Sequence, residues 1–271
     1  MEEVGFERPE VNSEPLAGTV KAYDTHVFLA WGRASDWPED PFDAQYAGTL
    51  PVTLDKAIKA AKADIKSKVR LTLVEAESKD EEGCVLVFPN YIRYEIGTDG
   101  ARIPEFVQYL AGHREGTGVS SSSCVPDIED PFVFVCAHAK RDARCGFCGP
   151  RLLQSAVQLA QTTRITTMQI RKCSHIGGHK YAGNVIVYGG KAEAEDGHWY
   201  GYATPGNLFA ILTGRAVRSR LWRGRLGISE SAAIAERKRQ ALLDVLPFGL
   251  VVILIGIGSY AWLRRRRSSH D

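Results

Sequence analysis

The sequence predicts an α/β architecture in which one order of elements occurs twice, followed by a C-terminal transmembrane helix. Three observations predict it. Apolar runs with strand character alternate with runs of helical spacing between residues 20 and 214. The segments Arg102-Ile103-Pro104-Glu105-Phe106-Val107-Gln108-Tyr109-Leu110-Ala111-Gly112 and Thr204-Pro205-Gly206-Asn207-Leu208-Phe209-Ala210-Ile211-Leu212-Thr213-Gly214 end alike, an apolar helix with proline early and glycine last. The run from Val245 to Leu263 contains no charge, and as a helix it would span roughly 28 Å, the thickness of a bilayer core.

Taken in order, residues 1–19 hold Pro9, Pro15 and several acidic residues and read as a flexible arm. Residues 20–112 make the first domain. His26 to Trp31 is its first strand, and Gly32 to Asp43, with Pro38 and Pro41, is a loop. Thr53 caps a helix with Leu54, Ala57, Ile58, Ala61 and Ile65 at helical spacing. Strands at Val69 to Val74, Cys84 to Phe88 and Tyr91 to Ile96 follow, then a helix from Ile103 to Leu110. Residues 113–130, with Gly116, Gly118 and four consecutive serines, have the composition of a linker.

The second domain, 131–214, repeats the order. A strand at Phe132 to Cys136 leads to a polar loop, a helix from Arg151 and a strand near Ile165 to Arg171. Strands at Asn184 to Tyr188 and Trp199 to Tyr202 and the closing helix complete it. Strand, loop, helix, strand, two further strands, helix is the order of a thioredoxin fold, here in tandem as an internal duplication. Residues 215–244 are rich in arginine and read as a connector or a juxtamembrane stretch that meets anionic lipid headgroups or an acidic redox partner.

Tyr260 and Trp262 suit an interfacial position at the end of the 245–263 run, and Arg264 to Arg267 open a basic tail, 264–271. Pro247 falls in the first turn, where its missing N–H costs little. The expectation is a tail-anchored membrane protein with its globular part facing the cytosol. The outer membrane of a mitochondrion or plastid, or the endoplasmic reticulum, would receive it. The first residues have no basic and apolar leader, so the six cysteines read as thiols or ligands rather than a disulfide framework. A net charge of +2 argues against nucleic acid as a partner.

Metal-ligand chemistry concentrates between Phe132 and His179. Eight residues separate Cys136 from Cys145, and three separate His175 from His179. Eight is wide for a zinc knuckle, although structural zinc stays open. Two cysteines and two histidines are also the donors of a Rieske-type [2Fe–2S] cluster, whose imidazole ligands raise its potential and can make it pH-dependent. A third reading takes Cys145-Gly146-Phe147-Cys148, between a strand and a helix, as the dithiol of a thiol–disulfide oxidoreductase. It leaves Cys136, His175 and His179 without a role.

Cys136-Ala137-His138-Ala139-Lys140-Arg141-Asp142-Ala143-Arg144-Cys145-Gly146 and Cys173-Ser174-His175-Ile176-Gly177-Gly178-His179-Lys180-Tyr181-Ala182-Gly183-Asn184 resemble the signature segments of the sucrase/ferredoxin-like family. Ser35-Asp36-Trp37-Pro38 extends the resemblance to roughly residues 20–215. It implies a thioredoxin-like ferredoxin in the second domain, with Cys136 and Cys145 as thiolate ligands and His175 and His179 as imidazole ligands of a [2Fe–2S] cluster. Residues Lys180 to Asn184 would wrap the histidine loop. Electron transfer to an unidentified redox partner protein, or redox sensing, is the function implied, more than an enzyme with its own substrate. His138, Lys140, Arg141 and Arg144 would then set positive potential beside the centre or simply be solvated. The first domain, which lacks the ligands, reads as a structural or partner-binding module. No carboxylate pair for glycoside hydrolysis stands out.

Overall fold

Among the described residues ten strands join in one sheet, in the order β10-β9-β8-β6-β7-β2-β1-β3-β4-β5. The computed structural model describes residues 5–8, 10, 13–112, 124–125, 130–162, 168–189 and 196–242. In the first half these form β1 (Thr25–Ala30), α1 (Leu50–Ala60), β2 (Val69–Val74), β3 (Cys84–Phe88), β4 (Ile92–Glu95) and α2 (Ile103–Leu110). The two-residue β5 (Cys124–Val125) pairs with β4. The second half supplies β6 (Phe132–Cys136), α3 (Ala143–Thr162), β7 (Gln169–Cys173), β8 (Val185–Tyr188), β9 (His198–Tyr200), α4 (Leu208–Leu212) and β10 (Trp222–Arg225).

Each half has its first strand between a parallel second strand and an antiparallel third, with the fourth antiparallel to the third. That is the strand order of a thioredoxin-like fold, and it occurs twice. The halves are not separate bodies: both lie in one compact unit, Met1–Ala233. They meet where β2 pairs antiparallel with β7 at Val74 and Cys173. Ser174 N–H donates to Leu73 O at 2.9 Å, and Leu73 N–H returns a bond to Ser174 Oγ at 3.0 Å.

β6 is buried along its whole length, which explains its unbroken apolar sequence: a strand covered on both faces has no polar side to alternate with. β1 shows how the faces divide. Val27 and Leu29 pack with Leu54 and Phe106, while Phe28 turns to the other face. There Phe28 stacks on Phe134 at 3.7 Å between ring centres, and Phe88 stacks on Tyr188 at 3.9 Å. β1 and β6 are separated in the sheet by β2 and β7. Stacking across that gap requires the sheet to fold back at the β2–β7 seam, where a single pair of residues is in register.

Several sequence expectations are corrected. α1 begins at Leu50 with Thr49 before it and Pro51 in its first turn, so Thr53 lies inside the helix rather than capping it. α3 begins at Ala143, eight residues before the expected Arg151, and takes Cys145 and Cys148 into its first turns. Asp142 Oδ1 accepts the Arg144 N–H at 2.9 Å, which satisfies one of the donors a helix leaves open at its start. Pro150 is tolerated within the helix. Trp222–Arg225 is a sheet strand, so the segment after 214 is not simply a juxtamembrane connector.

The arm is docked where it is described: Leu16 is buried and Phe6 meets Phe147 edge to face at 5.9 Å. The expected transmembrane helix is also corrected. Among the described residues no helix is long and apolar enough to cross a membrane. The last described helical run, 230–242, carries Glu230, Glu236, Arg237, Lys238 and Arg239, and the apolar run 245–263 lies outside the described residues.

Candidate metal centre

β6 and β7 are parallel neighbours, so their carboxyl ends release two loops at the same edge, with Cys136 and Cys173 paired as last residues. Cys136 ends β6, Cys145 stands in the first turn of α3, and His175 follows β7 by two residues. The Sγ atoms of Cys136 and Cys145 and a ring nitrogen of His175 lie within 4.8 Å of one another. Both thiols are 1% exposed, and His175 is half-buried.

α3 reaches this position because Gly149 has no side chain. A Cβ there would stand 2.5 Å from Cys136 O and 2.6 Å from Ala137 Cα, so any other residue would lift the helix off the strand end. The histidine loop turns through Gly177 and Gly178, with φ of 88° and 72°, a region that L side chains seldom adopt. His179 opens a 3-10 turn, His179–Tyr181. Its ring is 5.5 Å from that of His175 and exposed, at the rim of the three-residue group rather than within it.

The two thiols act as a pair. A hydrogen bond from Cys145 and the neighbouring His175 hold the Cys136 thiol well below its usual pKa, against the effect of burial. Cys145 is pushed the other way, first by the bond it makes to Cys136 and then by burial. Thiolate character at one member is what metal binding requires. His175 Nδ1 is buried with no hydrogen-bond partner. Two thiols and a ring nitrogen of His175 within one small volume, on a ring whose buried Nδ1 has no hydrogen-bond partner, fit a soft or borderline metal, and thereby the iron of an iron–sulfur cluster.

His138, expected beside the centre as a positive group, is not one. It is fully buried, and burial lowers its pKa. Its Nε2 lies 2.8 Å from Pro38 O, which can only accept, so Nε2 carries the proton. Nδ1 then accepts the backbone N–H of His175 at 3.3 Å. The neutral ring thus ties the ligand loop to the first half, where Trp37 packs edge-on against it at 5.7 Å. The other expected cations have anionic or carbonyl neighbours. Arg141 faces Glu39 and Asp40, Arg144 bonds Asp142 at 3.0 Å, and Lys140 donates to Asp36 O at 3.4 Å.

Cys148 faces away from reaction. Its Sγ donates to Gly5 O at 3.6 Å, and burial raises its pKa, the reverse of what activates a redox thiol. Of Lys180 to Asn184, Tyr181 and Asn184 are buried against the loop, and Lys180 pairs with Glu14 at 2.6 Å. Sequence reasoning missed three side chains here. Arg223 bonds Gly177 O and Asn184 Oδ1, Arg70 bonds Ile176 O, and Arg8 bonds Ala182 O. Arginines spread so widely carry no local signal of convergence.

A thioredoxin-like frame with a thiol–imidazole centre at its strand ends is the class that fold and site define. The chain belongs to the sucrase/ferredoxin-like family, whose model matches residues 16–224. It is similar to the altered inheritance of mitochondria protein 32 of Candida glabrata, 34% identical over 124 residues, covering 40% of this chain and 39% of that protein. The protein of the same name from Clavispora lusitaniae is 31% identical over 51% of this chain and 55% of its own length. The chain thus spans about two fifths and about half of these relatives. That of Eremothecium gossypii is 27% identical over 80% of this chain and 82% of its own. Among solved structures, a thioredoxin-like [2Fe–2S] ferredoxin from Aquifex aeolicus aligns at 23% identity, over 38% of this chain and 96% of its own, with a TM-score of 0.30.

Proposed function

We propose that this chain binds a [2Fe–2S] cluster through Cys136, Cys145, His175 and His179 and passes single electrons to a redox partner protein. The observation that carries the reading is the convergence of both thiols with His175, whose Nδ1 has no protein partner. His179, one ring away and exposed, would complete the set and form the edge at which a partner approaches. When bound, the cluster supplies reversible one-electron chemistry at a potential that imidazole ligands raise. The protein's part is to keep the thiols dry, hold His175 through the neutral His138, and fix the loop between the histidines. The names of the curated relatives suggest an association with mitochondria.

The buried Cys148, bonded to Gly5 O, weighs against a Cys145/Cys148 dithiol enzyme. The test is a visible spectrum with iron and sulfide analysis on the full chain purified without oxygen. About two irons and two sulfides per chain, as the cluster formula requires, support the reading. A colourless chain that takes up zinc and no iron after attempted reconstitution overturns it.

A further inference from the structure

We propose that Arg223 is the positioning residue of the histidine loop and places a fixed positive charge behind the thiol pair, an inference that rests on the cluster reading above. Arg223 stands in β10, far from the ligands in sequence, yet is 2% exposed. Its Nη1 donates to Asn184 Oδ1 at 2.7 Å and to Gly177 O at 3.2 Å. Nε and Nη2 donate to Thr19 Oγ1 and Thr19 O, at 3.0 and 3.1 Å. Asn184 extends the grip in two directions. Its Nδ2 donates to Gly178 O at 2.9 Å, and its backbone carbonyl accepts the N–H of Cys136 at 3.0 Å. One guanidinium therefore fixes both glycines between the histidines and, through Asn184, the backbone of a thiol ligand. Gly178 shows how close it passes: a Cβ there would stand 2.4 Å from Nη2.

The charge is as telling as the geometry. All four acceptors of Arg223 are neutral, and no carboxylate pairs with it among the described residues. Burying a cation without a counter-ion is costly. Burial lowers the Arg223 pKa to about 10, which leaves it charged at neutral pH. Arg70, half-buried, donates to Ile176 O at 3.3 Å and adds a second cation on the same loop. Tyr181 and then the Cys136 thiol, the member of the pair with thiolate character, oppose the effect of burial on Arg223. A fixed cation there favours the more negative, reduced form of whatever the thiol pair binds.

The test compares Arg223→Gln, Arg223→Lys and Asn184→Asp in the full chain. Midpoint potentials are read on reconstituted protein, and amide exchange across residues 174–184 on the metal-free chain. Arg223→Gln removes the charge, and Asn184→Asp cancels it with the arginine in place. Each should shift the reduced-to-oxidised ratio about tenfold toward oxidised, about 59 mV for one electron. Arg223→Lys should keep the potential near the parent's while the loop exchanges roughly tenfold faster, having lost the fork's simultaneous bonds. Unchanged potentials overturn the charge role, and unchanged exchange overturns the positioning role. Should Arg223→Gln fail to fold, Asn184→Asp decides the charge. A parent chain that takes up no iron sinks the cluster reading instead, and exchange in metal-free Arg223→Lys still decides the positioning.

Discussion

The two halves share a strand order and differ in what stands at the ends of their strands, and that contrast locates the chemistry. Ala30 ends β1 opposite Val74 as Cys136 ends β6 opposite Cys173. Trp31 N–H bonds Val74 O just as Ala137 N–H bonds Cys173 O. One step further, Ala76 N–H bonds Gly32 O where His175 N–H bonds His138 Nδ1. The first half therefore presents Ala30, Gly32 and Ala76 where the second presents Cys136, His138 and His175. The centre needs no special backbone in its strands, only thiols and imidazoles at ordinary strand ends, plus a helix that starts early enough to add Cys145. Nor is the first half an idle copy. Its Trp37 and Pro38 hold His138, and its Arg70 holds Ile176.

The contrast can be broken most completely by making the second half resemble the first. Cys136→Ala or His175→Ala should abolish cluster binding, a loss beyond the roughly 10–100-fold that supporting residues cost, read as iron per chain and visible absorption. The shared core comes next. Phe134→Ala removes the ring stacked on Phe28 and should cost about 3–5 kcal/mol in denaturant unfolding. His138→Ala leaves Pro38 O and the His175 N–H without their shared partner. It should cost about 1–3 kcal/mol and reduce iron retention, with the fold kept by circular dichroism. The converse double substitution, Ala30→Cys with Ala76→His, should add no second cluster, because residues 31–49 contain no thiol to match Cys145. Cys148→Ser should have the smallest effect, unchanged iron content and stability within about 1 kcal/mol.

Much of this was legible in the sequence. Val69–Val74, Cys84–Phe88 and Ile103–Leu110 were expected at the bounds observed, because each is a strongly patterned apolar run with turn residues on either side. The early start of α3 was not legible. Gly146, Gly149 and Pro150 are poor helix formers, and what makes them helical is a close approach to Cys136 and Ala139 that appears only in the folded chain. Both His138 and Arg223 read as surface cations, since burial of either depends on partners a hundred or more residues away, at Pro38 and Thr19. Cys136, Cys145 and His175, which the family resemblance implies as ligands together, lie within 4.8 Å of one another. What the resemblance could not reveal is that His179 stands at the exposed rim.

The central claim is tested most directly by pulsed EPR on the reduced full chain with nitrogen-15 histidine. Coupling of the paramagnetic centre to two histidine nitrogens, lost one at a time in His175→Cys and His179→Cys, is the result predicted. An iron–sulfur signal without histidine coupling, unchanged in both variants, would contradict the account.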